Sequence, residues 1–244
     1  MRYTGESHKV GRSIVALIRL FFLVFTPVTV FSLSAFPTIF LIAAYITYAQ
    51  PVLSWFWFVF FFSFILVIGF LGLILCTALF TGLTIRVFRL TYKPGEYRKS
   101  ITDKNTYHFA VYWILYRPTE KLLSTIFIPP IYSAYLKLIG AKIGKHVFFG
   151  GRNTLSDPCV TEIGNKTLIG GGATIMGHLG EEKLVIKKVR IGNHCLVGAE
   201  ALIMPGVTME DHTVLGGKSL VTKNKTLSKG NMYGGVPAVK IDRN

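Results

Sequence analysis
From Ile191 onward an aliphatic residue or methionine stands at every sixth position: Ile191, Val197, Ile203, Met209, Leu215, Val221 and Leu227. Neither a helix nor a half-buried strand repeats at six, because their side chains return to one face at periods of 3.6 and 2. A six-residue period fits a parallel β-helix of triangular section, in which each side takes one hexad and three hexads close a coil. The register extends upstream through Ile143, Phe149 and Leu155, and then, displaced by two residues, through Ile163, Ile169 and Ile175. Each inward residue would stack on its counterpart about 4.8 Å away in the next coil. Glycine follows the apolar residue at Gly144, Gly164, Gly170, Gly192, Gly198 and Gly216, and small residues stand four places after it at Thr167, Ala173, Cys195, Ala201, Thr213 and Ser219. Both are expected to permit tight corners between the sides.

These hexads, spread over residues 139–241, resemble those of the hexapeptide-repeat acyltransferases. The resemblance implies a left-handed parallel β-helix that works as a homotrimer.

The remainder of the chain has a different composition. The protein carries a net charge of +15, yet residues 20–85 contain no Lys, Arg, Asp or Glu. Such a stretch can cross a bilayer twice, since one span needs about 20 apolar residues. The first run, residues 14–48, contains Arg19, Pro27 and Pro37 and is expected to form one long, kinked span; the second covers residues 52–87 and opens on Trp55, Phe56, Trp57 and Phe58, an aromatic belt. Arg2, Lys9, Arg12 and Arg19 flank the first span and Arg86, Arg89, Lys93, Arg98 and Lys99 follow the second, while the turn at Ala49, Gln50 and Pro51 has no charge. By the positive-inside rule both termini and the β-helix lie in the cytoplasm, giving an integral membrane protein of two spans. The first run is too long for a cleaved signal peptide.

The basic excess beside the spans suits anionic lipid headgroups, and with no basic recognition motif it does not point to nucleic acid. Cys76, Cys159 and Cys195 form no close pair, so neither a disulfide framework nor a thiolate metal site is implied.

Residues 91–138 form a connector rich in Tyr and Pro. Its apolar runs, Tyr107 to Tyr116 and Leu122 to Phe127, suit a membrane interface or a soluble cap on the first coil, and the density of Tyr and Trp in the first favours the interface. Pro118, Thr119 and Glu120 are expected to open a helix, and Pro129-Pro130 to end one. The expected organisation is therefore a two-span hairpin over residues 1–90, an amphipathic connector over 91–138 and a β-helix over 139–244, a membrane α plus all-β fold. Two spans, then Tyr92-Lys93-Pro94-Gly95-Glu96-Tyr97, then an aromatic segment, then Leu136 to Gly144 leading into hexads, resemble one unit of the membrane-bound terminal module of poly-lysine-type nonribosomal peptide synthetases.

The hexads break once where chemistry can enter. After Ile175 the next regular positions are Val185 and Ile191, so about four residues loop out, and His178 lies in that loop. In soluble hexapeptide acetyltransferases a histidine at such a loop is the general base, and neutral imidazole suits that task near pH 7. The same resemblance gives Ala199 and Gly217, three hexads apart, backbone contacts with a pantetheine arm, directs Thr222 and Lys223 to the nucleotide end, and closes the Pro237-Ala238 turn on the cofactor. Asp157, in Ser156-Asp157-Pro158, either orients or charge-stabilises His178 across a subunit boundary or is an ordinary turn aspartate. Asn153 lies near the position where sugar acetyltransferases hold the acceptor, with the alignment off by about a residue.

His194 and His212 are also three hexads apart and should stack, as a subunit contact or solvated column rather than a metal site. Zinc-binding relatives of this fold use a histidine pair five residues apart, which this sequence lacks. Leu179 and Leu196 replace the Pro and Trp common in soluble sugar acetyltransferases and agree with the peptide-synthetase module. The expected activity is transfer of an acyl group, acetyl or aminoacyl, to a hydroxyl or amine of a membrane lipid or lipid-linked acceptor. The donor would be acetyl-CoA or another pantetheine thioester, including one on a carrier protein, with no metal. The alternative is a non-catalytic trimeric membrane scaffold.

Overall fold
Hexad residues form the interior of three parallel sheets in the computed structural model, which describes residues 3–242, with side chains from residue 14 onward. On the first face Ile143, Ile163, Ile191, Met209 and Leu227 stand in register. The second face stacks Phe149, Ile169, Val197, Leu215 and Tyr233, and the third stacks Leu155, Ile175, Ile203 and Val221. All but Ile143 are buried. The two-residue displacement comes from a single 3-10 turn, Pro158–Val160, inserted after Leu155.

The larger interruption differs from the sequence expectation. Ile163 pairs with Ile191, an offset of 28 (191 − 163) where Ile191 and Met209 are offset by 18 (209 − 191), so ten extra residues leave the coil rather than four. Val185 is not a hexad position. It lies in an antiparallel hairpin of His178–Gly180 and Leu184–Ile186, whose outer strand pairs with Gly95–Tyr97. Its burial comes from that small sheet, which imitates the hexad pattern in sequence.

The corner glycines also serve a different purpose from the one expected. The left-handed backbone conformation falls on the third residue after most inward side chains, with φ of 56° at His146, 53° at His194 and 60° at His212. Glycine directly after the inward residue is needed because the next coil lies against it. A Cβ on Gly164 would come within 2.6 Å of the backbone of Gly192, and one on Gly198 would overlap the backbone nitrogen of Gly217. Backbone cannot give way as a side-chain tip can. Gly198→Ala should therefore cost on the order of 1–3 kcal/mol and lower the melting temperature by several degrees. Gly180→Ala, facing open space, should stay within about 0.5 kcal/mol of wild type in the same melt.

Two helices, α1 (Tyr3–Ala49) and α2 (Trp55–Val87), form an antiparallel hairpin, and both are long and apolar enough to cross a bilayer. Arg2 lies outside the described residues, and of Lys9 and Arg12 only the backbone is described. The helix α1 is continuous through Pro27 and Pro37. Thr38 donates to Gly69 O at 2.9 Å and Tyr45 to Phe58 O at 2.7 Å, linking the pair. The later turns of α2 bury Ile74, Thr77, Ala78, Thr81 and Ile85 against the connector.

That connector is a cap on the first coil. Its helices are α3 (Lys104–Thr125), opened by Asp103, whose carboxylate accepts from the Asn105 and Thr106 amides, and α4 (Pro129–Leu138). Pro118 lies inside α3 rather than opening it, because Asp103 already supplies the N-cap, and Pro129 opens α4. Tyr112, Tyr116 and Tyr132 are buried rather than spread over an interface. The reason is the open end of the β-helix, where carbonyls have no lower coil to pair with. Tyr116 donates to Leu155 O at 2.7 Å and Tyr132 to Asn153 O at 3.2 Å, while Tyr112 donates to Ile139 O, at the end of α4, at 3.1 Å. Glu120 is buried beside Tyr116, 2.6 Å from its hydroxyl. Burial raises the Glu120 carboxyl above its ordinary value, and the hydrogen bond from Tyr116 and the Arg117 charge offset this only in part. At the other end Val239–Ile241 folds back antiparallel on Met232–Gly234 and closes the stack.

Candidate active site
The hexad numbering assigns every outward corner residue to a column, and two of the three corners carry the candidate chemistry. At the corner between the third and first faces, Asp157 and Gly177 occupy equivalent positions one coil apart, two residues beyond Leu155 and Ile175. His178 follows directly and starts the excursion of ten residues. The structure brings His178 and Asp157 together within one chain rather than across a subunit boundary, because their corner positions stack one coil apart: His178 Nδ1 is 2.7 Å from Asp157 Oδ2. Asp157 is 0% exposed and receives two further hydrogen bonds, from the Gly177 amide at 2.8 Å and from the Tyr92 hydroxyl at 2.6 Å. Gly177 has to be glycine here, since a Cβ would fall 2.7 Å from that of Asp157 and 2.6 Å from Val160 Cγ2.

This set of contacts fixes what the imidazole can do. With Nδ1–H donated to a carboxylate, Nε2 is left as the basic nitrogen. Burial, and then the negative charge of Asp157, push the Tyr92 phenol well above its ordinary value, so it stays protonated and remains a donor. The ring of His178 is held edge-on by Phe109, at 4.9 Å between centroids and 66°, and by Trp113 at 5.1 Å and 87°. The side chain keeps 16% of its surface open. Nearby, burial pushes the Cys159 thiol up to about 12, which removes it as a nucleophile at neutral pH.

Sequence reasoning singled out His178 and left Asp157 undecided, but it missed Tyr92, Phe109, Trp113 and Gly177. Tyr92 opens the very segment whose Gly95–Tyr97 strand pairs with the histidine hairpin. The spacing of 65 residues between Tyr92 and Asp157 has no local signature.

Asn153 does not fit the expected acceptor-holding role. It is 4% exposed, at the inner side of a corner, and its amide donates to Gly170 O at 2.5 Å. An inward side chain of a coil cannot reach a substrate. Ala238 is likewise 0% exposed, its amide donating to Leu220 O at 2.7 Å, so it closes the top of the stack, while Pro237 beside it is exposed.

Ala199 and Gly217 do share a column, at the corner between the second and third faces, with Gly151, Gly171 and Gly235 in equivalent positions. This corner is lined with small residues from bottom to top. The contrast with the corner between the first and second faces is chemical. There the amides of Lys145, Asn165 and Asn193 donate to the side-chain oxygens of Asn165, Asn193 and Asp211, at 2.7, 2.8 and 2.6 Å. The amides of Gly171, Ala199 and Gly217 find no acceptor among the described residues. They form a line of free N–H donors one coil apart, suited to an extended chain of amide carbonyls.

Thr222 and Lys223 belong to the other corner, that of His178. Lys223 is 2.5 Å from Glu181 and Lys187 donates to Asn224 at 2.9 Å, so both contacts tie the histidine hairpin to the upper coils. One chain thus carries the imidazole and the small-residue column at opposite edges of its third face. His194 and His212 stack at 4.9 Å and 6°. Among the described residues no group of three or more His, Cys, Asp or Glu could hold a metal ion.

Residues 188–223 match the family described as hexapeptide repeat of succinyl-transferase. No curated protein matches the sequence significantly. Among solved structures the chain is similar to a hexapeptide-repeat acetyltransferase of Vibrio cholerae, at 13% identity and a TM-score of 0.42 over 50% of this chain and 85% of that one. It is similar to a maltose O-acetyltransferase of Clostridium difficile at 16% identity and a TM-score of 0.41, over 52% of this chain and 85% of that one. A galactoside acetyltransferase in complex with coenzyme A is 22% identical with a TM-score of 0.40, over 51% of this chain and 77% of that one. Residues 188–223 thus carry the hexapeptide repeat of that family description, and the coils that the repeat builds form a parallel β-helix.

Proposed function
We propose that this protein is a membrane-anchored acyltransferase that moves an acyl group from a pantetheine thioester, such as acetyl-CoA, to a hydroxyl or amine. The observation that carries the proposal is the His178 imidazole, oriented through Nδ1 by the buried Asp157 with Nε2 left basic. Nε2 takes the proton of the acceptor as its oxygen or nitrogen attacks the thioester carbonyl. Backbone N–H groups stabilise the tetrahedral oxyanion. The C–S bond then breaks, and the leaving thiolate recovers the proton from the imidazolium.

The donor arm lies along the small-residue corner, its amide carbonyls accepting from Gly171, Ala199 and Gly217. Because that corner and the imidazole are at opposite edges of one face, the site is completed in a homotrimer, where the histidine edge of one protomer meets the small-residue edge of the next. Two spans, with the β-helix in the cytoplasm, place the site beside a bilayer and favour a lipid-linked acceptor. The open amides accept a pantetheine arm from CoA or from a carrier protein equally well.

Coenzyme A binding tests this reading. At about 100 times its Kd, CoA should stabilise the purified protein by about 2.7 kcal/mol, visible as a raised melting temperature. Acyl-CoA should also release free thiol in the presence of a membrane lipid extract. A panel of acyl-CoA and acyl-carrier donors that neither shifts the melt nor releases thiol would leave the non-catalytic scaffold in its place.

A further inference from the structure
The proposed reaction leaves unexplained why α3, after presenting Phe109 and Trp113 to His178, continues along the membrane hairpin. Its next residues at four-residue spacing are Arg117 and Lys121, which follow Phe109 and Trp113 along one stripe of the helix. The Arg117 guanidinium lies 5.1 Å from the Trp113 ring centroid and is 2.6 Å from Glu120. Lys121 is exposed and makes no ion pair among the described residues. One turn on, Lys121, Leu122 and Thr125 line an open groove of about 420 Å³ closed on its far side by Phe31 of α1. A second, purely apolar cavity of about 140 Å³ lies between Leu71 and Ile74 of α2 and Leu123 and Ile131 of the cap.

The depth of these features follows from helix length. A hydrocarbon core is about 30 Å thick, or about 20 helical residues. Counted from the turn that carries Trp55 and Trp57, that length ends near Val30 on α1 and Ile74 on α2. Both are buried, and α2 packs on the cap from Ile74 onward. Phe31 and Leu122 therefore stand at the edge of the hydrocarbon, and Lys121 and Arg117 at the level of the headgroups. Trp113 is eight residues before Lys121, about 12 Å further along the helix.

We infer that this stripe is the acceptor track, binding a phosphate-bearing lipid with its chain in the Phe31–Leu122 groove and its phosphate on Lys121 and Arg117. Its headgroup then extends along Trp113 to the imidazole of His178. The inference rests on the proposed acyl transfer and gives its acceptor a chemical class: an anionic lipid whose hydroxyl or amine lies on the order of 12 Å beyond its phosphate. Charge complementarity selects the occupant, because an apolar groove rimmed by Lys121, with no ion-pair partner among the described residues, and with Arg117 one helical turn away, attracts an anion with a hydrocarbon tail.

Lipid retention by the full-length protein tests the track without any donor. The protein is placed in nanodiscs of dioleoylphosphatidylcholine with a minority of dioleoylphosphatidylglycerol, released into detergent, and its bound lipids are counted by native mass spectrometry. Phosphatidylglycerol should be enriched over its share of the disc, and Lys121→Gln should lower that enrichment about five-fold, with Lys121→Glu removing it. Lys121 is exposed, so these variants fold, whereas Arg117→Gln would also leave the buried Glu120 unpaired. Soluble glycerol 3-phosphate should not displace the lipid, because it lacks the chain. Retained lipid that mirrors the disc composition, enrichment unchanged in both Lys121 variants, or displacement by glycerol 3-phosphate would each overturn the inference. His178→Ala should keep the enrichment, so loss of turnover in that variant reports on the chemistry and loss of lipid in the Lys121 variants reports on the track.

Discussion
Replacing His178 with alanine should lower thioester-dependent acyl transfer by about 10²–10⁴-fold, the usual contribution of a positioned general base, while leaving the melting temperature and its rise with CoA close to wild type. The side chain lies outside the stacked interior of the coils, so the β-helix core is untouched by its removal. It sits on the hairpin beside two aromatic rings, and among the described residues its side-chain hydrogen bond is with Asp157. The loss should appear in kcat rather than in KM for the donor, because the imidazole acts on the acceptor proton. A variant with undiminished turnover would remove His178 from the chemistry while leaving the fold intact.

Asp157→Asn is the second large effect, and its size comes from loss of the negative charge facing the imidazole. The carboxylate accepts three hydrogen bonds, from His178 Nδ1, the Gly177 amide and the Tyr92 hydroxyl. An asparagine cannot accept all three, since its amide nitrogen would face a donor on one side. The oxygen that faces Nδ1 also accepts from the Gly177 amide, so the NH₂ turns toward Tyr92, whose hydroxyl can rotate to accept; His178 keeps its tautomer but loses the negative charge that stabilises its protonated form. Turnover should fall on the order of 10²–10³-fold, the usual size of a lost electrostatic contact to the transition state. Tyr92→Phe removes one donor and leaves the carboxylate, so its loss should be much smaller. If Asp157→Asn and Tyr92→Phe fall equally, Asp157 serves packing rather than the imidazole. Measuring kcat for both variants decides between the two.

The sequence exposes the coil clearly because an inward hexad side chain has no freedom: it must be apolar, and it recurs on each face at a fixed spacing. The same regularity located Ala199 and Gly217 in one column, and the break after Ile175 pointed to His178. The size of that break was misread because Val185 is apolar for a different reason, its place in the hairpin beside Gly95–Tyr97. The tyrosines of α3 were ambiguous in the same way. A density of Tyr suits a lipid interface and suits equally the capping of free carbonyls at the end of a β-helix, and only the backbone shows which partners are present. The positive-φ corners were hidden for a third reason. They fall on His, Lys, Arg, Glu and Asn more often than on Gly, so the visible glycines one step after the inward residue mark close approach between coils instead of turn conformation. Tyr92, Phe109 and Trp113 reach His178 across long stretches of chain, and no spacing rule links them to it.

Acyl transfer by the His178–Asp157 pair is tested most directly by incubating the nanodisc-embedded protein with radiolabelled acetyl-CoA and a membrane lipid extract and following label into the lipid fraction. Wild-type protein should transfer label with release of one thiol per acyl group, and the His178→Ala protein should transfer at a rate lower by about 10²–10⁴-fold. Label appearing equally with both proteins would contradict the assignment of the imidazole as the base.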